Sequence, residues 1–135
     1  MAVAVLETDA GKMNCAHVVA VLACAPWAAN RTLQQVEVMV RNTQFVVLAT
    51  IDGTPVGFAR AVSDNIFRAF VEDVVVVPDQ RGTGLGRLMI RKLEEMIGSK
   101  GVPRLELVTQ KPDFWRKLGF EDREKSKYLI KWLNK

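Results

Sequence analysis

Four consecutive valines, residues 74–77, run into Pro78, and the chain then turns through Arg81-Gly82-Thr83-Gly84-Leu85-Gly86. An amphipathic stretch follows, with no glycine or proline between Gly86 and Gly98. A β-branched run of this kind reads as a buried strand, and Leu85, Leu88, Met89, Leu93 and Met96 recur at helical spacing. Strand, glycine-rich turn and helix in that order put backbone amides and a helix N-terminus where an anion can sit. Few folds accommodate such a unit in the middle of a short chain.

The 135 residues suffice for one domain over 1–135 with a genuine core. Hydrophobic residues at 49% and charged residues at 25% exclude a disordered class. The net charge of +4 suits a small polyanionic ligand. Basic side chains are interleaved with acids, as in Arg91-Lys92 beside Glu94-Glu95, so they read as a solvated face and predict no nucleic-acid partner. Cys15 and Cys24, nine residues apart on one helix, would lie about 13.5 Å apart, too far to bridge. Two free thiols predict a reducing compartment, with the cytoplasm expected. His17 reads as a packing residue, and with one histidine and no paired cysteines no metal is expected. The apolar residues 15–29 are too short to span a bilayer and contain Pro26, while Glu7 and Asp9 ahead of them do not suit a leader; no membrane partner is expected. Residues 21–24 have the outline of a lipoprotein cleavage site, against which the rest of the pattern argues.

In chain order, the spacing predicts a strand over 2–6, a helix over 13–25 stopped by Pro26, and a helix over 33–41 capped by Thr32. Strands over 45–51 and 55–62 flank Asp52-Gly53, a hairpin signal. A third strand, 67–77, follows a turn at 63–65. A helix over 84–97 is expected to end at Gly98 and Gly101, followed by a strand at 102–109 parallel to the valine run. A short helix over 113–118 and a last antiparallel strand over 127–133, alternating Tyr128, Ile130 and Trp132, complete an α+β domain with a mixed, mostly antiparallel sheet.

Three phosphate-binding patterns compete for the glycine turn. A Walker A loop fails because Arg87 and Leu88 stand where lysine and a hydroxyl are required. A Rossmann fingerprint fails because its third glycine would fall at Arg87 or Met89. The third is Arg-x-x-Gly-x-Gly after a strand ending Val-x-Pro, which stands here at residues 76–86. This resembles the acetyl-CoA motif of the GCN5-related N-acetyltransferases (GNAT). Phe114-Trp115-Arg116-Lys117-Leu118-Gly119-Phe120 is similar to the family's Phe-Tyr-x-x-Leu-Gly-Phe segment, and the elements fall in the family's order over most of the chain.

The resemblance implies a GNAT fold of 6–7 strands and about four helices, its central strand pair splayed at an acetyl-CoA site. It implies an acetyl-CoA-dependent N-acetyltransferase acting directly on a primary amine of a small molecule or peptide. The CoA pyrophosphate would meet Arg81, Gly82, Thr83, Gly84, Leu85, Gly86 and Arg87, and Val74, Val75 and Val76 would pair with the pantetheine arm like an added strand. Glu72 is the first choice of base and Asp73 the second, placed by strand alternation on opposite faces. Trp27 and Arg31 fall where the family builds its acceptor pocket; a core role for Trp27 stays open. Homodimers are common in the family, so a homodimer is compatible. The sequence departs from the pattern at Trp115, where the family has a tyrosine acid: an indole N–H donates but does not titrate usefully. Water, Tyr128 or no acid would then serve, and a catalytically weakened CoA-binding module is the alternative. The family's frequent asparagine after the 102–109 strand is also missing, with Gln110 the available substitute.

Overall fold

The computed structural model describes residues 3–134. A short strand, β1 (Val5–Glu7), stands near the expected 2–6; residue 2 lies outside the described residues. Helix α1 (Cys15–Leu22) is shorter than the expected 13–25. Asn14 starts it, its Oδ1 accepting the His17 N–H at 3.1 Å, and it ends in tightened turns in which the Cys24 and Ala25 amides reach back three residues, each at 3.0 Å. Pro26 then has no N–H with which to continue.

Helix α2 (Leu33–Arg41) begins with a reciprocal capping box. Thr32 Oγ1 accepts the Gln35 amide at 3.2 Å, and Gln35 Oε1 accepts the Thr32 amide at 2.9 Å. Each bond satisfies a donor that the helix itself leaves unpaired. Strands β2 (Phe45–Ile51) and β3 (Thr54–Ser63) meet at Asp52 and Gly53, whose φ values of 50° and 78° give the left-handed pair that a two-residue hairpin requires. Between β3 and β4 (Ala69–Val76), Asp64 Oδ1 accepts the amides of Ile66 and Phe67, both at 2.8 Å.

Helix α3 (Leu85–Ser99) crosses over to β5 (Leu105–Glu106). The helix runs through Gly98, contrary to the sequence expectation, and stops only before Gly101 at φ 78°. Helix α4 spans Pro112–Arg116. The strand order is β1-β2-β3-β4-β5, antiparallel except for β4 and β5. Five strands therefore stand among the described residues where 6–7 were expected. The last predicted strand, 127–133, does not form: Tyr128, Ile130 and Trp132 are exposed. Its alternation is real, but no sheet edge accepts its backbone, and a strand exists only with a partner.

Helices cover both faces of the sheet, and residue alternation divides the core accordingly. On β2, Phe45, Val47 and Ala49 pack with Met89, Ile90 and Leu93 of α3. The intervening Val46 and Leu48 pack with Val18, Val21 and Leu22 of α1 and with Val36 and Val40 of α2. No helix among the described residues is long and apolar enough to cross a membrane.

Thr32→Ala removes half of the capping box and is expected to cost about 1 kcal/mol of unfolding free energy, read from urea denaturation with an unchanged slope.

Candidate functional site

Behind β4 the chain makes one 3-10 turn at Pro78–Gln80, bends through residues 81–84 and enters α3. Gly82 and Gly84 hold φ of 78° and 89°, and Gly84 is the N-cap of the helix. No side chain caps this end, so the first amides of a fifteen-residue helix face outward unpaired. A Cβ built on Gly82 or Gly84 would meet nothing within 4 Å, so the approach to this backbone is open. The two glycines are thus required by their left-handed backbone, and they leave a concavity suited to an anion. Gly86 differs: a Cβ there would be 3.5 Å from Phe114 Cζ, an ordinary contact, so no steric demand within the chain selects glycine. Arg81 donates from Nε to the Val76 carbonyl at 3.1 Å, and Thr83 Oγ1 donates to the Gln80 carbonyl at 2.6 Å. Arg87 is exposed on the first turn, while Leu85 is buried against the sheet.

The valine run borders this turn. Val74 and Val76 face the α3 side of the core, and Val75 is buried on the α1–α2 side. Strand β5 pairs with β4 only at Ala69 and Phe70, so the outer backbone edge of β4 from Val71 onward has no strand beside it among the described residues.

One residue in β4 departs from strand geometry. Glu72 pairs with Arg60 of β3 and Val75 pairs with Phe58, so β4 spends three steps where β3 spends two. This is a β-bulge, and Asp73 within it sits at φ 53°. The bulge corrects the alternation expected from sequence. Val71 faces α3, so Glu72 faces the α1–α2 side, and the extra residue keeps Asp73 on that side too. The two carboxylates are neighbours on one face.

Their surroundings differ. The Asp73 side chain is 1% exposed and accepts from Trp27 Nε1 at 3.1 Å, Arg31 Nη1 at 2.6 Å and Arg60 Nε at 2.7 Å. Burial raises its pKa, but the hydrogen bonds and charges of Arg31 and Arg60 outweigh burial and hold it below the ordinary carboxylate value. All three donors of this corner go to Asp73 and none to the half-buried Glu72. Trp27 and Arg31, predicted to line an acceptor pocket, are therefore brought to the candidate base, but through Asp73. Most of the Trp27 side chain remains exposed, at 62%. Arg60 was missed by the sequence reading; its place opposite Glu72 across the hairpin was the signal that could have found it.

Trp115 packs edge-on between Phe114 and Phe120, with ring centroids at 5.1 and 5.3 Å, and rests against the α3-side core. Phe114 reaches over Gly86 and the end of β4 and so brings α4 to the glycine turn. A separate groove lies between β5, α4 and the tail, lined by Phe70, Leu105, Trp115, Phe120 and Tyr128; no residue of the glycine turn lines it. Among the described residues no cluster of three His, Cys, Asp or Glu side chains could hold a metal ion.

A meander covered by two helices, a crossover helix opening at an uncapped glycine turn, and a free strand edge beside that turn define an acetyltransferase fold. The chain belongs to the Acetyltransferase (GNAT) family, whose model matches residues 13–120. An uncharacterized N-acetyltransferase, ycf52, of Pyropia yezoensis is 35% identical over 97 residues, covering 67% of this chain and 55% of that protein. The chloroplastic serotonin N-acetyltransferase 2 of Oryza sativa subsp. japonica is 44% identical over 70 residues, covering 50% of this chain and 35% of that one. The chain thus spans about half or less of the length of these curated relatives. The solved structure of AAC(6')-Iy, an aminoglycoside N-acetyltransferase, bound to the bisubstrate analogue CoA-S-monomethyl-acetylneamine shares the fold. Its TM-score is 0.79 at 19% identity, covering 96% of this chain and 99% of that one.

Asp73→Asn tests the carboxylate's charge state. Because the folded-state pKa lies below the ordinary 3.8, the anion stabilises the fold above that value, and the contribution is lost as pH falls through the lowered folded value. The variant is expected to lose about 3 kcal/mol at neutral pH, since two guanidinium groups are left without their partner. The difference from the wild type should narrow as urea denaturation is moved from pH 7 to pH 3; a constant difference would contradict the assignment.

Proposed function

We propose that this chain is an acetyl-CoA-dependent N-acetyltransferase that transfers acetyl directly to a primary amine of a small molecule or peptide. The observation that carries the reading is the turn from β4 into α3: an uncapped helix N-terminus with open space over Gly82 and Gly84. The CoA pyrophosphate fits this cradle. Residues 81–87 would hold it through backbone amides, with Arg81 and Arg87 adding charge. The outer edge of β4 at Val74, Val75 and Val76 has no strand beside it among the described residues. It would offer backbone groups to the pantetheine arm, though the Val76 carbonyl already accepts from Arg81; this supports the splayed-strand reading of β4 and β5.

Acetyl-CoA, when bound, supplies an acetyl thioester. An amine acceptor is protonated near neutral pH and must lose a proton before it attacks. Glu72 takes that role in this reading, because Asp73, with both carboxylate oxygens already accepting, has little capacity left for a proton. An outward N–H of the valine run polarises the carbonyl. The exposed Trp27 ring and the remaining N–H groups of Arg31 face the acceptor. The rice relative is a serotonin N-acetyltransferase, which puts arylalkylamines first among the acceptors to try. The two free cysteines support a reducing compartment, and the cytoplasm is proposed. The exposed apolar tail around Tyr128, Ile130 and Trp132 supports a homodimer.

Trp115 favours a second reading, a CoA-binding module with weakened catalysis, because its packed indole supplies no proton to a departing thiolate.

Titration calorimetry should show acetyl-CoA binding at about 100 μM or tighter, within the span of enzyme K_M values; no heat at that concentration removes both readings. Thiol release should then rise with an acceptor from a panel of serotonin, spermidine, glucosamine 6-phosphate, an aminoglycoside and a lysine peptide. Binding without acceptor-dependent release would select the weakened module.

Glu72→Gln should lower the rate about 10²-fold near pH 7 and much less at pH 9, where more of the amine is already neutral. Equal losses at both would remove Glu72 as the base.

A further inference from the structure

Asp73 joins three elements that the sequence keeps far apart. Trp27 and Arg31 come from the connection between α1 and α2, Arg60 from β3, and the aspartate from the bulge in β4. The connection itself carries little regular structure. Short-range turns at Ala28 and Arg31 shape it locally, each amide reaching back three residues. Trp27 is mostly exposed and Arg31 is 30% exposed, so apolar burial does little to fix either side chain. Buried Ala28 packs the connection itself and Arg31 also reaches the Met39 sulfur at 3.6 Å, but the one group that bonds both side chains is the Asp73 carboxylate. The same residue makes the bulge, and the bulge keeps the Asp73 carboxylate on the α1–α2 face beside Glu72.

We propose that Asp73 is the positioning residue of the acceptor side: its carboxylate fixes the α1–α2 connection against the strand that carries Glu72, while leaving the glycine turn untouched. The inference rests on the acetyl-transfer reading above. It replaces a role for Asp73 as alternative base with a structural one that acts through Trp27, Arg31 and the neighbouring glutamate. The glycine turn and α3 make no hydrogen bond to this corner. Disturbing Asp73 should therefore be felt by the amine and not by the CoA pyrophosphate.

Glycine is the informative replacement. It adopts φ 53° without strain, so Asp73→Gly keeps the backbone of the bulge and deletes only the clamp. Trp27→Phe is the second variant; it removes the N–H donor and shrinks the indole to a phenyl ring at a position 62% exposed, so folding is not at issue. Both are compared with the wild type by calorimetry with acetyl-CoA and by thiol-release kinetics, using whichever of serotonin, glucosamine 6-phosphate or the lysine peptide the wild type acetylates fastest. Asp73→Gly should raise the acceptor K_M at least tenfold, and Trp27→Phe about threefold. The acetyl-CoA K_d should stay within twofold in both, and k_cat at saturating acceptor should fall less than K_M rises. An unchanged acceptor K_M in both variants overturns the proposal. So does a parallel loss of acetyl-CoA affinity, which would mark Asp73 as a general structural support. If Asp73→Gly does not fold, the Trp27→Phe result decides alone. A wild type that neither binds acetyl-CoA nor turns over an amine sinks the acetyl-transfer reading and this inference with it, an outcome distinct from a functional wild type with unaffected variants.

Discussion

Asp73 accepts hydrogen bonds from three side chains while its own backbone sits in the left-handed region, and the corner between β4 and the α1–α2 connection depends on that pairing of strain and compensation. A non-glycine residue at φ 53° costs about 1–2 kcal/mol. Asp tolerates the region better than most residues, and here two guanidinium groups and an indole reward the conformation. Without the bulge, alternation would turn the carboxylate toward α3 and into the apolar cluster of Met89 and Leu93. Turned the other way, it satisfies two arginines that would otherwise be left partly buried without an anion.

The bulge also explains why two adjacent carboxylates have different chemistry. Glu72 and Asp73 share a face, but the available donors are all taken by the more buried of the two. Two guanidinium charges against one aspartate leave an excess of one positive charge, and Glu72, opposite Arg60 in the ladder, is the nearest acid along the strand to balance it. No hydrogen bond among the described residues occupies the Glu72 carboxylate, so its lone pairs stay open to an incoming donor while those of Asp73 are taken.

How much of this could be read from the sequence follows from the range of the interactions. The Asp52-Gly53 hairpin, the Thr32 cap and the turn from β4 into α3 are written in a few contiguous residues, and each stands in the structure close to where it was expected. The bulge at Asp73 was not legible, because period-2 reasoning assumes one residue per step and nothing local marks the extra one. Valines after the bulge even keep the look of an unbroken strand. The tie between Asp73 and residues more than forty positions earlier is tertiary and leaves no local trace. The predicted strand at 127–133 failed for the complementary reason: its pattern is local, but strand formation needs a partner edge. The parallel strand expected over 102–109 shrank to Leu105–Glu106, where β4 and β5 still lie side by side.

The same shrinkage bears on the proposed cofactor site. Because β5 leaves β4 after two residues, the free edge of the valine run lies next to the uncapped end of α3, so one ligand can span strand backbone and helix terminus together. Phe114 closes this corner from the α4 side by lying over Gly86, and Trp115 anchors that helix through Phe120. A tyrosine at residue 115 would have offered a proton at the cost of a polar group in this aromatic packing. In the proposed acetyl transfer a CoA thiolate is a fairly good leaving group, so attack by the amine, not departure of the thiol, would be the step that most needs help. The best-buried ion pairs stand accordingly on the α1–α2 face around Asp73. The Trp115 ring is instead held between two phenyl rings, and the charged pairs of α4, Arg116 with Asp113 and Asp122, lie exposed.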